Sequence, residues 1–248
     1  MPEPSNLPFK RLPKKGYFID FNPSNNSKFN SEDLIILEGK QHKNSAGIVK
    51  YEYPDENISI NRFFFEQDWI NQHVLSQKQN LAMLTIREFL DFLKLLKSEE
   101  KVYYSNGKRV PRLKVTQLYN TITTQKEPWR SEYLDADFRV INKILHINYE
   151  HRLNFKTGKL EPKYSQPLEE CLMQNTPISL NLLLENANYQ GLPAKNIKSR
   201  DLDYFAPLKD DNSVAWFSAG SDRVSLNCNW VPSDSNSSLG VRAKQVRP

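Results

Sequence analysis

This chain of 248 residues has few cysteines, few glycines and no long apolar run. Its two cysteines, Cys171 and Cys228, exclude a disulfide scaffold and a four-cysteine zinc site. No run of roughly 18 apolar residues occurs, so the sequence predicts no membrane span. The 8 glycines form neither a GxGxxG nor a GxxxxGK motif, and we therefore expect no nucleotide-binding loop and no cofactor.

The charge balance is mildly basic, with 34 Lys+Arg against 29 Asp+Glu and a formal net charge of +5. The basic residues are spread along the sequence without the signature of a common nucleic-acid-binding module, so nucleic-acid binding is an alternative and not the main prediction. The first 15 residues carry charges but no apolar stretch behind them, which is not typical of a secretory signal peptide. We expect a cytoplasmic or virus-borne location rather than classical secretion.

Proline and asparagine are concentrated in residues 1–30, which predicts an extended or partly disordered arm. The remaining residues, 31–248, show neither an internal repeat nor a clear linker and are predicted to form a single domain. Strand-like segments occur at 34–37 and 46–53, the second with apolar residues in period two. Few helices among many short strands indicate an α+β fold.

The clearest helix signal begins at Thr85. Thr85 and Glu88 have the spacing of a capping box, and apolar residues then recur at helical spacing through 86–97. A second apolar stripe predicts a helix over 112–123. Three further segments are interpreted as a buried turn at 129–138, a short helix at 167–173 and a strand at 178–184.

No arrangement of reactive side chains in the sequence indicates catalysis. His146 and His151 are five residues apart, which fits neither the HExxH motif nor one face of a strand, so they are predicted to be surface histidines and no metal site is expected. Glu132, Asp135 and Asp137 are interpreted as a solvated acidic turn. There is no GxSxG motif, and neither cysteine has a sequence neighbour that would lower its pKa. We therefore expect that the protein is not an enzyme.

The C-terminal segment carries the most regular alternation. In 215–219 and 224–228 apolar residues alternate with small polar ones, which predicts two strands that each have one apolar and one polar face. A turn at 220–223 would join these strands as a hairpin. Residues 231–237 are then predicted to form a loop, and 239–243 a final strand.

The polar face of this hairpin has the composition of a recognition surface. Trp216 falls among its polar positions, and an exposed indole is unusual unless it touches a partner. Trp, Ser, Asn, Gly and Asp together are typical of antibody paratopes, in which rigid aromatic anchors stand among small hydrogen-bonding side chains. We therefore expect this face to be exposed and to bind a ligand, with Trp216 and Trp230 as anchors.

Three short runs and one proline in this segment resemble the variable region of the variable proteins made by diversity-generating retroelements. They are Ser213-Val214-Ala215-Trp216-Phe217, Leu226-Asn227-Cys228, Pro232 and Ser238-Leu239-Gly240-Val241-Arg242-Ala243. The helix at 83–97 and the segment 129–138 are also similar to the archaeal or viral branch of that family. The resemblance covers roughly 80–248 and is most specific over 213–243. It implies a C-type lectin fold related to that of formylglycine-generating enzymes, with few helices packed on short antiparallel sheets and a C-terminal variable hairpin and loop.

The resemblance also implies how the polar face is used. In the family, a reverse transcriptase copies a template repeat, randomises it at adenines and installs the copy over the variable repeat. The variable, ligand-binding positions implied here are Trp216, Ser218, Gly220, Asp222, Arg223, Ser225, Asn227, Asn229, Trp230, Val231, Asp234, Ser235 and Asn236. The implied scaffold positions are Ala215, Phe217, Leu226, Cys228, Leu239 and Val241, with Arg242 as an internal hydrogen-bonding anchor.

The sequence thus predicts a non-catalytic receptor- or adhesin-like protein with a hypervariable surface whose ligand is a protein surface. Two alternatives remain open. One is a fixed-specificity sugar- or metal-dependent binder, or an enzyme, on the same fold. The other is a basic nucleic-acid-binding protein. Neither the identity of the ligand nor the oligomeric state follows from the sequence.

Overall fold

A computed structural model describes residues 29–44, 46–98, 101–195, 200–209 and 212–247 of the chain. The arm predicted at 1–30 lies outside the described residues, apart from Phe29 and Asn30. The α-helices found in the described ranges are α1 (Trp69–Lys78), α2 (Ile86–Ser98), α3 (Arg112–Thr123) and α4 (Leu180–Asn186). None of these helices is long and apolar enough to cross a bilayer. The strands are β1 (Leu34–Leu37), β2 (Lys40–Lys43), β3 (Val49–Tyr53), β4 (Glu56–Phe63), β5 (Ala82–Met83), β6 (Arg130–Ile141), β7 (Ile144–Asn154), β8 (Lys159–Pro167), β9 (Thr176–Ile178), β10 (Leu202–Phe205), β11 (Ser213–Ala219), β12 (Val224–Trp230) and β13 (Leu239–Val246).

Most strands of the described chain belong to one sheet of 11 strands. Its order is β1-β4-β13-β6-β11-β12-β10-β9, with β5 beside β13 and the β7–β8 hairpin beside β6. β2 and β3 form a separate antiparallel pair. Most neighbouring strands are antiparallel, but β13 is parallel to β6 and β10 is parallel to β12. The predicted α+β class is confirmed, although the sheet is not purely antiparallel.

Helix α2 lies at the centre of the larger hydrophobic core. The predicted helix and its apolar stripe are confirmed, and Phe89 and Leu93 are fully buried in this core. The predicted capping box is present as well: the Thr85 N–H donates to Glu88 Oε2 at 2.8 Å, and the Glu88 N–H donates to Thr85 Oγ1 at 3.3 Å. The predicted helix at 112–123 is α3, which packs with α2 and α4 against the same core.

Strand β6 is buried on both of its faces. Leu134 belongs to the larger core, whereas the neighbouring Tyr133 belongs to a smaller core on the opposite face, beneath α1. The turn predicted at 129–138 is therefore wrong, and so is the solvent exposure predicted for its acidic residues. Leu134, Ala136 and Phe138 lie in the larger core and alternate with Asp135 and Asp137, but these acidic residues face a second buried region and not solvent. The buried acidic residues of β6 are Glu132, Asp135 and Asp137.

The strand predicted at 178–184 is also wrong, because most of that segment forms helix α4. Ser179 caps the helix, since its Oγ accepts a hydrogen bond from the Leu182 N–H at 3.3 Å. A leucine-rich run fits a buried strand and a helix equally well, so its period does not decide between them. The buried leucines have helical spacing and are Leu180, Leu183 and Leu184.

Two other segments depart from their predicted extent. The strand predicted over 46–53 forms only at Val49–Tyr53. The helix predicted at 167–173 is absent, because β8 continues to Pro167 and the following residues have no regular structure. In both cases the sequence pattern was short, which makes its boundaries hard to place.

The C-terminal hairpin and the closing strand are confirmed. β11 and β12 pair antiparallel, and Gly220 N–H donates to Arg223 O at 2.9 Å in the turn between them. β13 lies between β4 and β6. Arg242 of β13 is buried and donates to both carboxylate oxygens of Glu132, at 2.8 and 3.0 Å, and to Ser59 O at 2.8 Å. Arg242 is therefore the internal hydrogen-bonding anchor that the resemblance implied.

We expect Arg242→Met to lower the free energy of unfolding by about 3–5 kcal/mol, because it leaves the buried Glu132 carboxylate without its partner. Adding Glu132→Leu should recover part of this loss, since two apolar side chains then replace the ion pair. Arg223→Met in the half-exposed turn is the control and should change stability by less than about 0.5 kcal/mol. Denaturant unfolding measures all three variants. Equal losses in Arg242→Met and Arg223→Met would contradict the role of the buried pair.

Candidate functional site

The segment that connects β12 to β13 has to cross one face of the sheet. β12 and β13 both run parallel to β6, and they lie on opposite sides of the β6–β11 pair. A connection between parallel strands must return over the sheet, since a hairpin turn cannot join them. Tyr133 fixes its course: Oη donates to Asp234 O at 3.1 Å and to Val231 O at 3.4 Å. We call residues 231–238 the crossover loop.

Much of the hairpin face that was predicted to be exposed is inside the protein. Trp216 is 3% exposed, and Ser218, Gly220, Ser225 and Asn227 are buried too. The polar side chains bond to one another: Ser218 Oγ lies 2.7 Å from Ser225 Oγ, and Asn227 Nδ2 donates to Ser225 Oγ at 2.9 Å. The predicted exposure of these five positions is wrong. Alternation shows which residues share a face but not whether a later segment covers that face.

The other predicted binding positions are at least partly exposed and fall in two short segments. The end of β11 and the start of β13 both pair with the first residues of β6. The β11–β12 turn and the end of the crossover loop therefore lie at the same end of the sheet. Two of these positions, Asp222 and Arg223, lie in the turn. The others follow the end of β12 into the crossover loop and are Asn229, Trp230, Val231, Asp234, Ser235 and Asn236.

Three tryptophans form a row along this surface. The Trp216 ring stacks on Trp230 at a centroid distance of 4.6 Å and lies 6.2 Å from the ring of Trp129. Trp230 Nε1 donates to Asp234 Oδ2 at 3.0 Å, and Trp129 is 42% exposed. Trp216 is thus a support for its two neighbours and not an exposed anchor. Trp129 was missed because it precedes β6, far from the hairpin in sequence.

A second group of reactive side chains is buried between α1, β6 and β7. His151 Nδ1 lies 2.5 Å from Asp135 Oδ1, and the His151 N–H donates to Asp135 Oδ2 at 3.1 Å. His73 Nε2 lies 3.7 Å from Asp135 Oδ1. The Trp69 ring packs edge to face with both imidazoles, at centroid distances of 4.4 Å from His73 and 4.9 Å from His151. We call His73, Asp135 and His151 the histidine–aspartate cluster.

Burial and the neighbouring carboxylates set the charges of this cluster. Burial disfavours an imidazolium and lowers the pKa of His73 to about 4. Burial acts in the same direction on His151, but the carboxylates of Asp135 and Asp137 outweigh it and raise the pKa of His151 to about 9. Burial alone would raise the pKa of Asp135, yet His151 and His73 lower it to about 2. At neutral pH the cluster therefore holds one carboxylate, one imidazolium and one neutral imidazole.

No motif in the sequence identifies this cluster. His151 was predicted at the surface together with His146, but His151 is buried and His146 is half-buried. His73 comes from a distant helix, and no motif spacing links it to the other two residues. The available signal was that Asp135 and Asp137 share one face of a strand, where buried carboxylates need a cationic partner or a metal. When 129–138 is interpreted as a turn, the two carboxylates are no longer expected to share a face.

A third polar group surrounds Lys244 of β13. Lys244 Nζ lies 2.6 Å from Glu88 Oε1 and 3.1 Å from Glu56 Oε1, and Tyr51 Oη donates to Glu88 Oε1 at 2.5 Å. All four side chains are buried. One ammonium faces two carboxylates, and burial together with the charge of Glu88 raises the pKa of Glu56 to about 8. Glu56 is therefore mostly protonated at neutral pH.

Comparison with known proteins gives no match for this chain among protein-family models, curated proteins or solved structures. Its function has to be inferred from the residues and their geometry.

The raised pKa of Glu56 predicts a pH-dependent loss of stability. In the unfolded chain a glutamate titrates near about 4.3, whereas folded Glu56 keeps its proton up to a pKa of about 8. Only the folded chain holds this proton between those values, so the contribution of Glu56 is complete below about pH 4 and is lost as the pH rises toward 8. Glu56→Gln should flatten that fall in unfolding free energy, whereas Glu38→Gln at an exposed position should not. Parallel pH profiles of Glu56→Gln and wild type would contradict the assignment.

Truncation of Trp216 and of Trp129 to alanine should lower the free energy of unfolding by different amounts. We expect Trp216→Ala to lower the free energy of unfolding by about 3–5 kcal/mol, because it removes a fully buried ring. Trp129→Ala should cost about 1 kcal/mol, because that ring is half in solvent. Thermal or denaturant unfolding of both variants tests the difference. If Trp216→Ala were as stable as wild type, the face would be exposed after all.

Proposed function

We propose that this chain is a non-catalytic binding protein that recognises its partner through the crossover loop, the β11–β12 turn and the solvent-facing parts of Trp129 and Trp230. We call this set the display surface. The observation that carries the proposal is an exposed polar loop whose backbone is fastened to the sheet at several points. A rigid frame with accessible side chains is what a recognition surface requires, because little conformational freedom is lost on binding.

The fastening runs along the whole crossover loop. Near its start, Pro232 O accepts the Trp69 N–H at 3.0 Å, which ties the loop to the first turn of α1. In its middle, Asp234 O accepts the Tyr133 hydroxyl at 3.1 Å. At its end, Ser238 O accepts from the backbone of β6 at 3.0 Å and from an arginine of β4 at 2.7 Å. These bonds are all accepted by backbone carbonyls of the loop, so the fastening to the sheet and to α1 does not depend on the loop's side chains. Within the loop, the side chains of Asp234 and Asn236 add further hydrogen bonds.

The chemistry of the display surface favours a protein ligand. Trp129 offers a large aromatic area at 42% exposure, and Val231 of the crossover loop is 56% exposed. The same loop carries Ser235 and Asn236, small exposed groups that donate and accept hydrogen bonds. Aromatic anchors surrounded by small polar residues are typical of paratopes and of energetically important interface centres.

We further propose that the chain is a C-type-lectin-type variable protein of a diversity-generating retroelement, as its resemblance implies. The interior position of the Gly240-Val241-Arg242 run supports this. A Cβ on Gly240 would stand 2.9 Å from the Phe63 carbonyl oxygen, which explains why only glycine fits there. Arg242 is the buried anchor already described. Burial then narrows the diversified positions to Asp222, Arg223, Asn229, Trp230, Val231, Asp234, Ser235 and Asn236.

Sequencing the DNA that flanks the gene tests the retroelement proposal. We expect a near-copy of codons 213–243 beside a reverse-transcriptase gene, with mismatches where the copy has adenine. These mismatches should fall on codons of the display surface and spare the codons of Trp216, Ser218 and Ser225. A flank without such a repeat would refute the retroelement, and mismatches concentrated on the buried codons would refute the display surface.

A matched pair of variants tests the boundary of the display surface in the protein itself. Ser235→Arg in the exposed loop should change the free energy of unfolding by less than about 0.5 kcal/mol. Ser218→Arg introduces the same side chain at a buried position and should unfold the chain or cost several kcal/mol, on the order of an unpaired buried charge. Similar stability of the two variants would show that the boundary is misplaced.

A further inference from the structure

The histidine–aspartate cluster has the geometry of an ion-binding site. One ligand atom from each of His73, Asp135 and His151 lies within 4.8 Å of the other two. All three side chains are almost completely buried. They are supplied by α1, β6 and β7, so their positions are set by packed elements and not by a loop.

Several polar atoms of this region have no hydrogen-bond partner among the described residues. They include Nε2 of His73, Nε2 of His151 and Oδ1 of Asp137. The gap of 3.7 Å between His73 Nε2 and Asp135 Oδ1 is too long for a hydrogen bond. His151 Nε2 and Asp137 Oδ1 lie 3.5 Å from each other, which leaves His73 Nε2 as the orphan atom beside the Asp135 carboxylate. Buried polar atoms are almost always satisfied in folded proteins, so His73 Nε2 calls for an additional partner.

We propose that this cluster binds one divalent transition-metal ion of the Zn²⁺ type through His73 Nε2, Asp135 Oδ1 and His151 Nδ1. Two imidazoles and one carboxylate suit Zn²⁺, Co²⁺ or Fe²⁺, whereas Ca²⁺ and Mg²⁺ prefer all-oxygen sites. Tetrahedral ligand atoms at bond lengths of about 2.0–2.2 Å stand about 3.3–3.5 Å apart. The measured 3.7 Å between His73 Nε2 and Asp135 Oδ1 is already close to that spacing.

The contact that must open is the hydrogen bond of 2.5 Å between His151 Nδ1 and Asp135 Oδ1. The metal would replace the proton that these two atoms share, and that proton would leave to solvent. Metal ligands must be deprotonated, so binding should release about one proton per ion.

Asp137 would then serve as the outer partner of a metal ligand. Its Oδ1 lies 3.5 Å from His151 Nε2 and is itself without a partner. With Nδ1 on the metal, the Nε2–H of His151 points to this carboxylate, which Arg139 holds from the other side. A carboxylate on the far nitrogen of a ligating histidine is the usual outer shell of a zinc site, and it fixes the ring and its tautomer.

The competing explanation is a buried imidazolium–carboxylate pair without a metal. That pair accounts for His151, which lies between Asp135 and Asp137. It does not account for His73, whose neutral ring is directed at Asp135 with Nε2 unpaired. The metal gives His73 Nε2 a partner, and the ion pair does not.

Metal titration of the full chain after chelator treatment tests the proposal. We expect one Zn²⁺ to bind per chain with proton release, and the melting temperature to rise with added Zn²⁺. Co²⁺ should give the visible absorption bands of a tetrahedral nitrogen–oxygen site. His73→Leu should abolish stoichiometric binding, and Asp137→Asn should weaken it about 10–100-fold. His146→Leu, which alters a half-buried histidine of β7 outside the cluster, should bind like wild type.

Two results would overturn the proposal. The first is a wild-type chain that neither binds Zn²⁺ stoichiometrically nor becomes more stable with it, which would leave only a buried ion pair. The second is equal binding by His73→Leu and wild type, which would place the ion elsewhere. If His73→Leu fails to fold, the Co²⁺ spectrum of the wild-type chain decides, and octahedral or absent bands would refute the site. None of these results depends on the display surface.

Discussion

The insertion of β13 between β4 and β6 is the constraint on which the rest of this structure depends. It sets β13 parallel to β6, and the preceding segment must therefore cross the sheet as the crossover loop. It also carries Arg242 and Lys244 into the interior. Three buried acidic side chains meet them there, those of Glu132, Glu56 and Glu88. The exposed loop and the buried charges are thus two consequences of the position of one strand.

The same strand order explains where the histidine–aspartate cluster lies. β6 pairs with β13 over 131–133 and with β7 over 137–141, so the ladder on that side is interrupted between them. In the interval the Asp135 N–H donates to Leu84 O at 2.7 Å, and Asp135 Oδ2 accepts the His151 N–H at 3.1 Å. Backbone groups in such a gap need partners from outside the ladder. A carboxylate at this point satisfies one of them and leaves its second oxygen for the imidazoles.

Local signals in the sequence were sufficient where the apolar residues of an element repeat with a clear period. Helix α2 has a capping box and one apolar stripe, and β11 and β12 alternate cleanly, so all three were predicted. β6 was not, because its acidic residues are typical of a solvated turn although they are buried here. The leucines of 178–184 fit two periods at once. The exposure of Trp216 could not be predicted, since strand order and not local pattern decides what covers it. The cluster at Asp135 joins three elements that no motif spacing connects.

The crossover loop separates buried serines from exposed ones. A comparison of the two groups shows at which positions a substitution is tolerated. Inside, Ser218 and Ser225 bond to each other at 2.7 Å, so a change at Ser225 leaves the buried Ser218 hydroxyl without this partner. Outside, Ser235 is exposed and water can replace any bond that its side chain makes. The crossover loop also takes its conformation from backbone bonds to Tyr133 and Trp69. A binding surface can therefore change there while the core beneath it stays the same.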